Sequence, residues 1–188
     1  MSASLANFLH ELGHLKRVPR SGWALVGVAR PESVAEHSWR TAAVAFLLVR
    51  QEGADPYRAA GLALFHDLTE ARTGDPHHVT RRYLDTRTVE PRVLEDQVEA
   101  LPADLGAAVR DAWQEVQEQG SAEARLVKDA DRLECLLQAR EYQQAGHDTA
   151  EWQETARAGL TSETAREWAD GLAEADPGRW WKKPADRR

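Results

Sequence analysis

Residues 33–75 read SVAEHSWRTAAVAFLLVRQEGADPYRAAGLALFHDLTEARTGD, and their pattern decides the fold class. Ser33 followed three residues later by Glu36 is the signature of a capping box, which satisfies two of the free N–H groups at a helix start. Val34, His37, Thr41, Val44 and Leu48 then recur at spacings of three and four, so one face of this helix turns toward a core. Gly53 ends it, because glycine accepts the left-handed backbone of a helix terminus without penalty. Asp55 and Pro56 open a third helix as cap and first-turn proline. That helix is expected to run through YRAAGLALFHDLTEA and to stop at the Thr73-Gly74-Asp75-Pro76 turn.

Working outward, the same grammar repeats. A first helix is expected over 3–15, followed by a loop carrying Pro19, Gly22, Gly27 and Pro31. Residues 77–101 read only as short helices or ordered loop. Helices follow over 103–118 and 122–145, the latter capped by Ser121, and over 149–158 and 163–174, with Asp148 and Ser162 as caps. No stretch alternates with the two-residue period of a strand, and Ala, Leu, Glu, Gln and Arg dominate over β-branched residues. The expected fold is all-α, a single helical bundle over residues 1–175 with a basic, aromatic tail over 176–188. Trp180-Trp181, beside Lys182 and Lys183, reads as a packed C-terminal cover.

Bulk properties narrow the function classes. A chain of 188 residues is large enough for one proper core, and 42% hydrophobic with 29% charged residues is ordinary for a globular protein. No apolar run approaches the roughly 20 residues that span a bilayer, and the amphipathic N-terminus does not read as a secretory signal. One cysteine, Cys135, excludes an internal disulfide framework, so a reducing, cytoplasmic setting is expected. A net charge of −7 argues against a nucleic-acid polymer as partner. It leaves room for a small phosphate-bearing ligand held by local arginines and a metal ion.

Three helices each place unusual polar residues on an apolar face: His37, the His66-Asp67 pair, and Asp131 between Val127 and Cys135. Burying two imidazoles and two carboxylates is costly unless they pair or hold a cation. Such mixed nitrogen and oxygen ligation suits one divalent Mn, Fe, Co, Ni or Zn ion better than Ca or Mg. The stretch Lys128-Asp129-Ala130-Asp131 offers two candidates for the last ligand. Asp129 has Arg125 and Arg132 at helical neighbour positions and reads as a solvated salt-bridging residue, so Asp131, with more apolar neighbours, is preferred. Glu70 lies one turn beyond both His66 and Asp67, where a general acid or base for water activation belongs. Asp75, in the following turn, is a candidate for contacting substrate or holding a catalytic water.

The order of these residues resembles the HD superfamily of metal-dependent phosphohydrolases. LKRVPRSGW (15–23), RPESVAEHSWR (30–40), FHDLTEARTGD (65–75) and LVKDADRLEC (126–135) are similar, more specifically, to the HD-domain 5′-deoxynucleotidases, the YfbR-like and HD domain-containing protein 2 family. The resemblance implies His37, His66, Asp67 and Asp131 as metal ligands, Glu70 as the catalytic carboxylate and Arg20 on the substrate phosphate. It also implies Trp23 beside the sugar, disfavouring a 2′-hydroxyl, although in some relatives Arg and Trp are adjacent and here Ser21-Gly22 separates them. Homodimers are typical of the family. The implied reaction hydrolyses a nucleoside 5′-monophosphate to nucleoside and phosphate.

Three alternatives stand beside it: a dinuclear iron oxygenase, a non-catalytic nucleotide-binding relative, and a phosphohydrolase of cyclic or polyphosphorylated nucleotides. His77-His78, being adjacent on one short segment, is a poor bridging shell for a second metal and reads as a surface pair.

Overall fold

The computed structural model describes residues 2–182, all helix, turn and loop; the described part of the chain contains no strand, only a lone bridge between Pro19 and Ser33. Among the described residues nine α-helices follow in order: α1 (Ala3–Leu12), α2 (Val34–Gln51), α3 (Pro56–Phe65), α4 (Glu70–Thr73), α5 (Thr86–Val98), α6 (Ala103–Glu118), α7 (Ala122–Gln144), α8 (Ala150–Ala158) and α9 (Glu163–Glu174). Short 3-10 segments at Gly13–Arg17 and Ser21–Val26 lead from α1 to α2.

The expected start signals act as caps. Ser33 accepts from Glu36 N–H while the Glu36 carboxylate takes the Ser33 N–H at 2.6 Å, a complete capping box. Asp55 caps α3 with Pro56 in its first turn, and Ser121 and Ser162 cap α7 and α9. Beyond α2, Gly53 adopts φ +79°, the left-handed backbone that favours glycine. At α8 the N-cap position falls to Thr149 rather than Asp148, and the Thr149 hydroxyl donates instead to the Ala139 carbonyl at 2.7 Å.

The central core is α2, α3 and α7 packed together, with Leu48, Val127 and Leu133 fully buried and α6, α8 and α9 closing it. Truncating Leu133 to alanine would cost about 2–5 kcal/mol through lost contacts and a residual cavity. A second cluster of Phe8, Leu68, Leu94, Val98 and Trp113 ties α1 and α5 to the far side of α3.

Three expectations change. The third helix does not run unbroken through HDLTEA: α3 stops at Phe65, and three-residue bonds such as Glu70 N–H to Asp67 carbonyl (3.1 Å) bridge to the short α4. The cause is local, because the His66 ring donates to the Ala63 carbonyl at 2.6 Å and takes the acceptor that the next helical turn would use. The uncertain middle contains a real helix, α5, with Pro91 in its second turn. The tail does not pack as a cover: Trp180 and Trp181 are exposed, and Lys182 lies 5.9 Å from the Trp181 ring. Lys183 and the rest of the tail lie outside the described residues. No helix of the described residues is long and apolar enough to cross a membrane.

Candidate metal centre

Each candidate ligand is delivered by a different constraint. His37 sits in the first turns of α2, fully buried, on the face that the capping box orients. His66 and Asp67 occupy the break between α3 and α4, where the helix loosens against the core. Asp131 projects from the middle of α7. The structure brings His37, His66 and Asp67 together, with ligand atoms within 4.8 Å of one another: His66 Nε2 lies 3.0 Å and His37 Nε2 3.8 Å from Asp67 Oδ2. Asp131 adjoins this group through His37, whose Nε2 lies 3.2 Å from Asp131 Oδ1. Both Nδ1 atoms are committed elsewhere, His37 to Glu134 at 2.5 Å and His66 to the Ala63 carbonyl. Both Nε2 atoms are buried with no hydrogen-bond partner. Two imidazole nitrogens with fixed tautomers, aimed at carboxylate oxygens, fit a divalent transition-metal ion.

A profile of the HD domain matches residues 12–173. The chain belongs to the HD-domain family. Human 5′-deoxynucleotidase HDDC2 is 37% identical over 147 residues, which cover 77% of this chain and 71% of the human protein. The 5′-deoxynucleotidase hdd1 of Schizosaccharomyces pombe is 29% identical, covering 76% of this chain and 74% of its own. Among solved structures, a predicted metal-dependent phosphohydrolase from Magnetospirillum magnetotacticum superposes with a TM-score of 0.73 at 27% identity, covering 92% of this chain and 90% of that one. A conserved hypothetical protein from Pyrococcus furiosus superposes with a TM-score of 0.74 at 31% identity, covering 90% and 99% of the two chains.

Behind the HD-domain cluster stands a support that sequence reading missed. Glu134 is fully buried and accepts a hydrogen bond from His37 Nδ1 on one oxygen, while Arg40 Nε donates to the other at 2.9 Å. Arg40 in turn donates to Gln138 at 2.6 Å and Glu141 at 2.7 Å. The signal was present as charge at helical spacing: Arg40 lies three residues after His37, and Glu134 three after Asp131.

Burial and Arg20 disfavour a charged His37, but the adjoining Asp131 and Glu134 carboxylates outweigh them and push its pKa up to about 10. Burial would raise Asp67 and Asp131, yet the neighbouring imidazoles hold both carboxyls below the usual range. Glu70 goes the other way: burial first, then the charges of Asp67 and Asp75, lift it well above an ordinary glutamate. Its Oε2 is buried and unpartnered, and Arg81 approaches Oε1 at 3.8 Å.

The cluster opens into a pocket of about 240 Å³ lined by Arg20, Trp23, Asp67, Asp75, His77, His78, Arg81, Lys128, Asp131 and Trp152 among others. Arg20 Nη1 meets Asp75 at 2.9 Å and Asp67 at 3.6 Å. Asp75 also accepts from the Ser21 N–H at 2.6 Å, so it organises the Arg20 loop. Trp23 is buried, its Nε1 donating to Glu32 at 3.0 Å, and it packs against Tyr142 and Trp152. A Cβ on Gly22 would come within 2.5 Å of Trp152, which explains a glycine in the spacer between Arg20 and Trp23. His77 and His78 line the pocket rather than an unrelated surface. A larger cavity, about 800 Å³ beside Trp39, shares Glu32 and Arg40 with the surroundings of the support but contains none of the four clustered residues. Asp67 and Asp131 line the smaller pocket and not the larger one.

Asp129 departs from the sequence expectation. It is not solvated: it is fully buried and accepts from the backbone N–H groups of Thr161 (2.9 Å) and Ser162 (2.8 Å) at the start of α9. The expected ion pair with Arg132 forms at 3.5 Å, while Arg125 donates to the Gln119 carbonyl instead. Asp131 is the more open of the two, its side chain 26% exposed.

Proposed function

We propose that this protein is a metal-dependent phosphomonoesterase that hydrolyses deoxynucleoside 5′-monophosphates, with His37, His66, Asp67 and Asp131 holding one divalent ion. The observation that carries the reading is the pair of buried, unpartnered Nε2 atoms, His37 beside Asp67 and Asp131 and His66 beside Asp67, with both carboxylates lining a pocket that also holds Arg20. The 5′-deoxynucleotidase relatives support the substrate class.

A divalent cation bound there supplies a Lewis acid that acidifies water and polarises a phosphoryl oxygen. The residues do the rest. Glu70 Oε2 accepts the proton from the attacking water, its high proton affinity making it an effective base in the presence of cationic charge. Asp75 holds Arg20 and the Ser21 backbone so that the guanidinium is fixed before a phosphate arrives. Trp23 lines the sugar side of the pocket from a buried, hydrogen-bonded position. The reading carries with it a Co, Mn, Fe, Ni or Zn ion, a cytoplasmic homodimer, and a domain of residues 1–175 with a separate tail.

The test is phosphate release from a panel of ribo- and deoxynucleoside 5′-monophosphates by metal-stripped protein reloaded with Co, Mn, Zn or Mg. Release that requires metal, favours deoxy substrates and is absent in Asp67→Ala is the expected result. Stoichiometric metal binding with no release from any monophosphate would overturn it.

A further inference from the structure

The proposed reaction brings a phosphate monoester, close to a dianion at neutral pH, into a pocket whose cations are mostly spoken for. A divalent ion on the four clustered residues is balanced by Asp67 and Asp131. Arg20 is balanced by Asp75 at 2.9 Å and leans toward Asp67 at 3.6 Å. Arg81 gives its Nε to the Pro76 carbonyl at 2.7 Å and faces Glu70 with its other end at 3.8 Å.

Lys128 is different. It lines the same pocket, and among the described residues its ammonium has no carboxylate within 4.0 Å; Asp131, one turn on, feels its charge from farther away. Glu90, on α5, senses its charge only from farther away. Its position on α7 is three residues before Asp131, hence on the same face of the helix, one turn from the metal cluster. Among the pocket's lysine and arginine side chains, the residue one turn before the cluster is thus the one without a close carboxylate.

We propose that Lys128 binds the phosphoryl group of the substrate, alongside the Arg20 that Asp75 holds in place. This rests on the monophosphate reading above. Lysine has the right chemistry, because its ammonium is a point charge on a flexible four-carbon stem. It can follow a phosphoryl group as the ester bond breaks and free phosphate forms. Arginine at position 20, tied together with the Ser21 N–H to one carboxylate, cannot move without abandoning the loop that Asp75 organises. The division of labour is therefore one rigid and one mobile cation. A ligand without a phosphate has nothing to offer Lys128, which separates this role from general pocket shape.

The experiment compares wild type with Lys128→Ala and Lys128→Arg, each shown to hold one metal per chain and to melt as wild type does. Inorganic phosphate and a deoxynucleoside are titrated separately by calorimetry, and KM is measured for the corresponding 5′-monophosphate. Lys128→Ala is expected to weaken phosphate binding and raise KM by about 10- to 100-fold each, with deoxynucleoside binding unchanged and most of the loss recovered in Lys128→Arg. Unchanged phosphate affinity in Lys128→Ala would overturn the proposal. So would an equal loss for phosphate and deoxynucleoside, the mark of a deformed pocket. Should wild type release no phosphate from any monophosphate, the monophosphate reading falls, and the titration with inorganic phosphate still decides the role of Lys128.

Discussion

Two aspartates, two residues apart on α7, lie in opposite kinds of surroundings. Asp129 is sealed, and both its oxygens accept from the Thr161 and Ser162 backbone and the Thr161 hydroxyl, at 2.8–3.1 Å. Asp131 keeps 26% of its side chain open and faces an imidazole nitrogen that has no partner in the protein. Buried carboxylates are tolerated when their hydrogen bonds are complete. Around Asp129 the chain completes them itself, by landing the start of α9 on α7. Around Asp131 it leaves an unpartnered imidazole nitrogen facing the carboxylate at 3.2 Å, a deficit that the proposed cation would fill. The first arrangement holds the bundle together, and the second suits the proposed metal site.

Exchanging one oxygen for an amide at each position breaks the comparison most sharply. Asp131→Asn should lower metal-dependent turnover by roughly 10³-fold while leaving the melting temperature of the metal-free protein within a few degrees. A variant with normal turnover would remove Asp131 from the centre. Asp129→Asn should do the reverse, costing about 2–4 kcal/mol of folding free energy in denaturant titrations, because buried N–H groups lose a charged acceptor. Turnover per folded molecule should remain close to wild type.

Glu134→Gln sharpens the same contrast from behind. An amide in place of the carboxylate weakens the grip on His37 Nδ1, and metal affinity, read by competition with a chelator, should fall about 10- to 100-fold. The smallest effect is a pH dependence. Glu70 carries a pKa raised above 4.5 in the metal-free fold, so the folded state holds a proton that the unfolded chain has released. Stability of the metal-free protein should thus fall as pH rises above 4.5, and Glu70→Gln should lose that part of the slope. Parallel stability profiles for wild type and variant would contradict it.

Much of this molecule was legible in order and spacing. Side-chain periodicity and capping chemistry are local, so Ser33, Asp55, Ser121 and Ser162 announce their helices within a few residues. Pro91 obscured α5, because a proline at that spacing argues for a break, and packing of Leu94 and Val98 against α1 and α6 overrides it. The break after Phe65 was hidden for a different reason. HDLTEA has good helical propensity, and only the His66 ring, once it turns back to the Ala63 carbonyl, interrupts the ladder.

The sequence by itself therefore determined an all-helical HD-domain chain and nominated His37, His66, Asp67, Asp131 and Glu70, because period, caps and motif order are written in neighbouring residues. Only the tertiary structure decided what surrounds each charge. It made Asp129 a structural anchor, Glu134 and Arg40 the brace behind His37, and Lys128 a pocket cation without a close carboxylate. Those assignments depend on helices separated by 32 to 97 residues in the chain meeting at hydrogen-bond distance, and no local pattern encodes such a meeting.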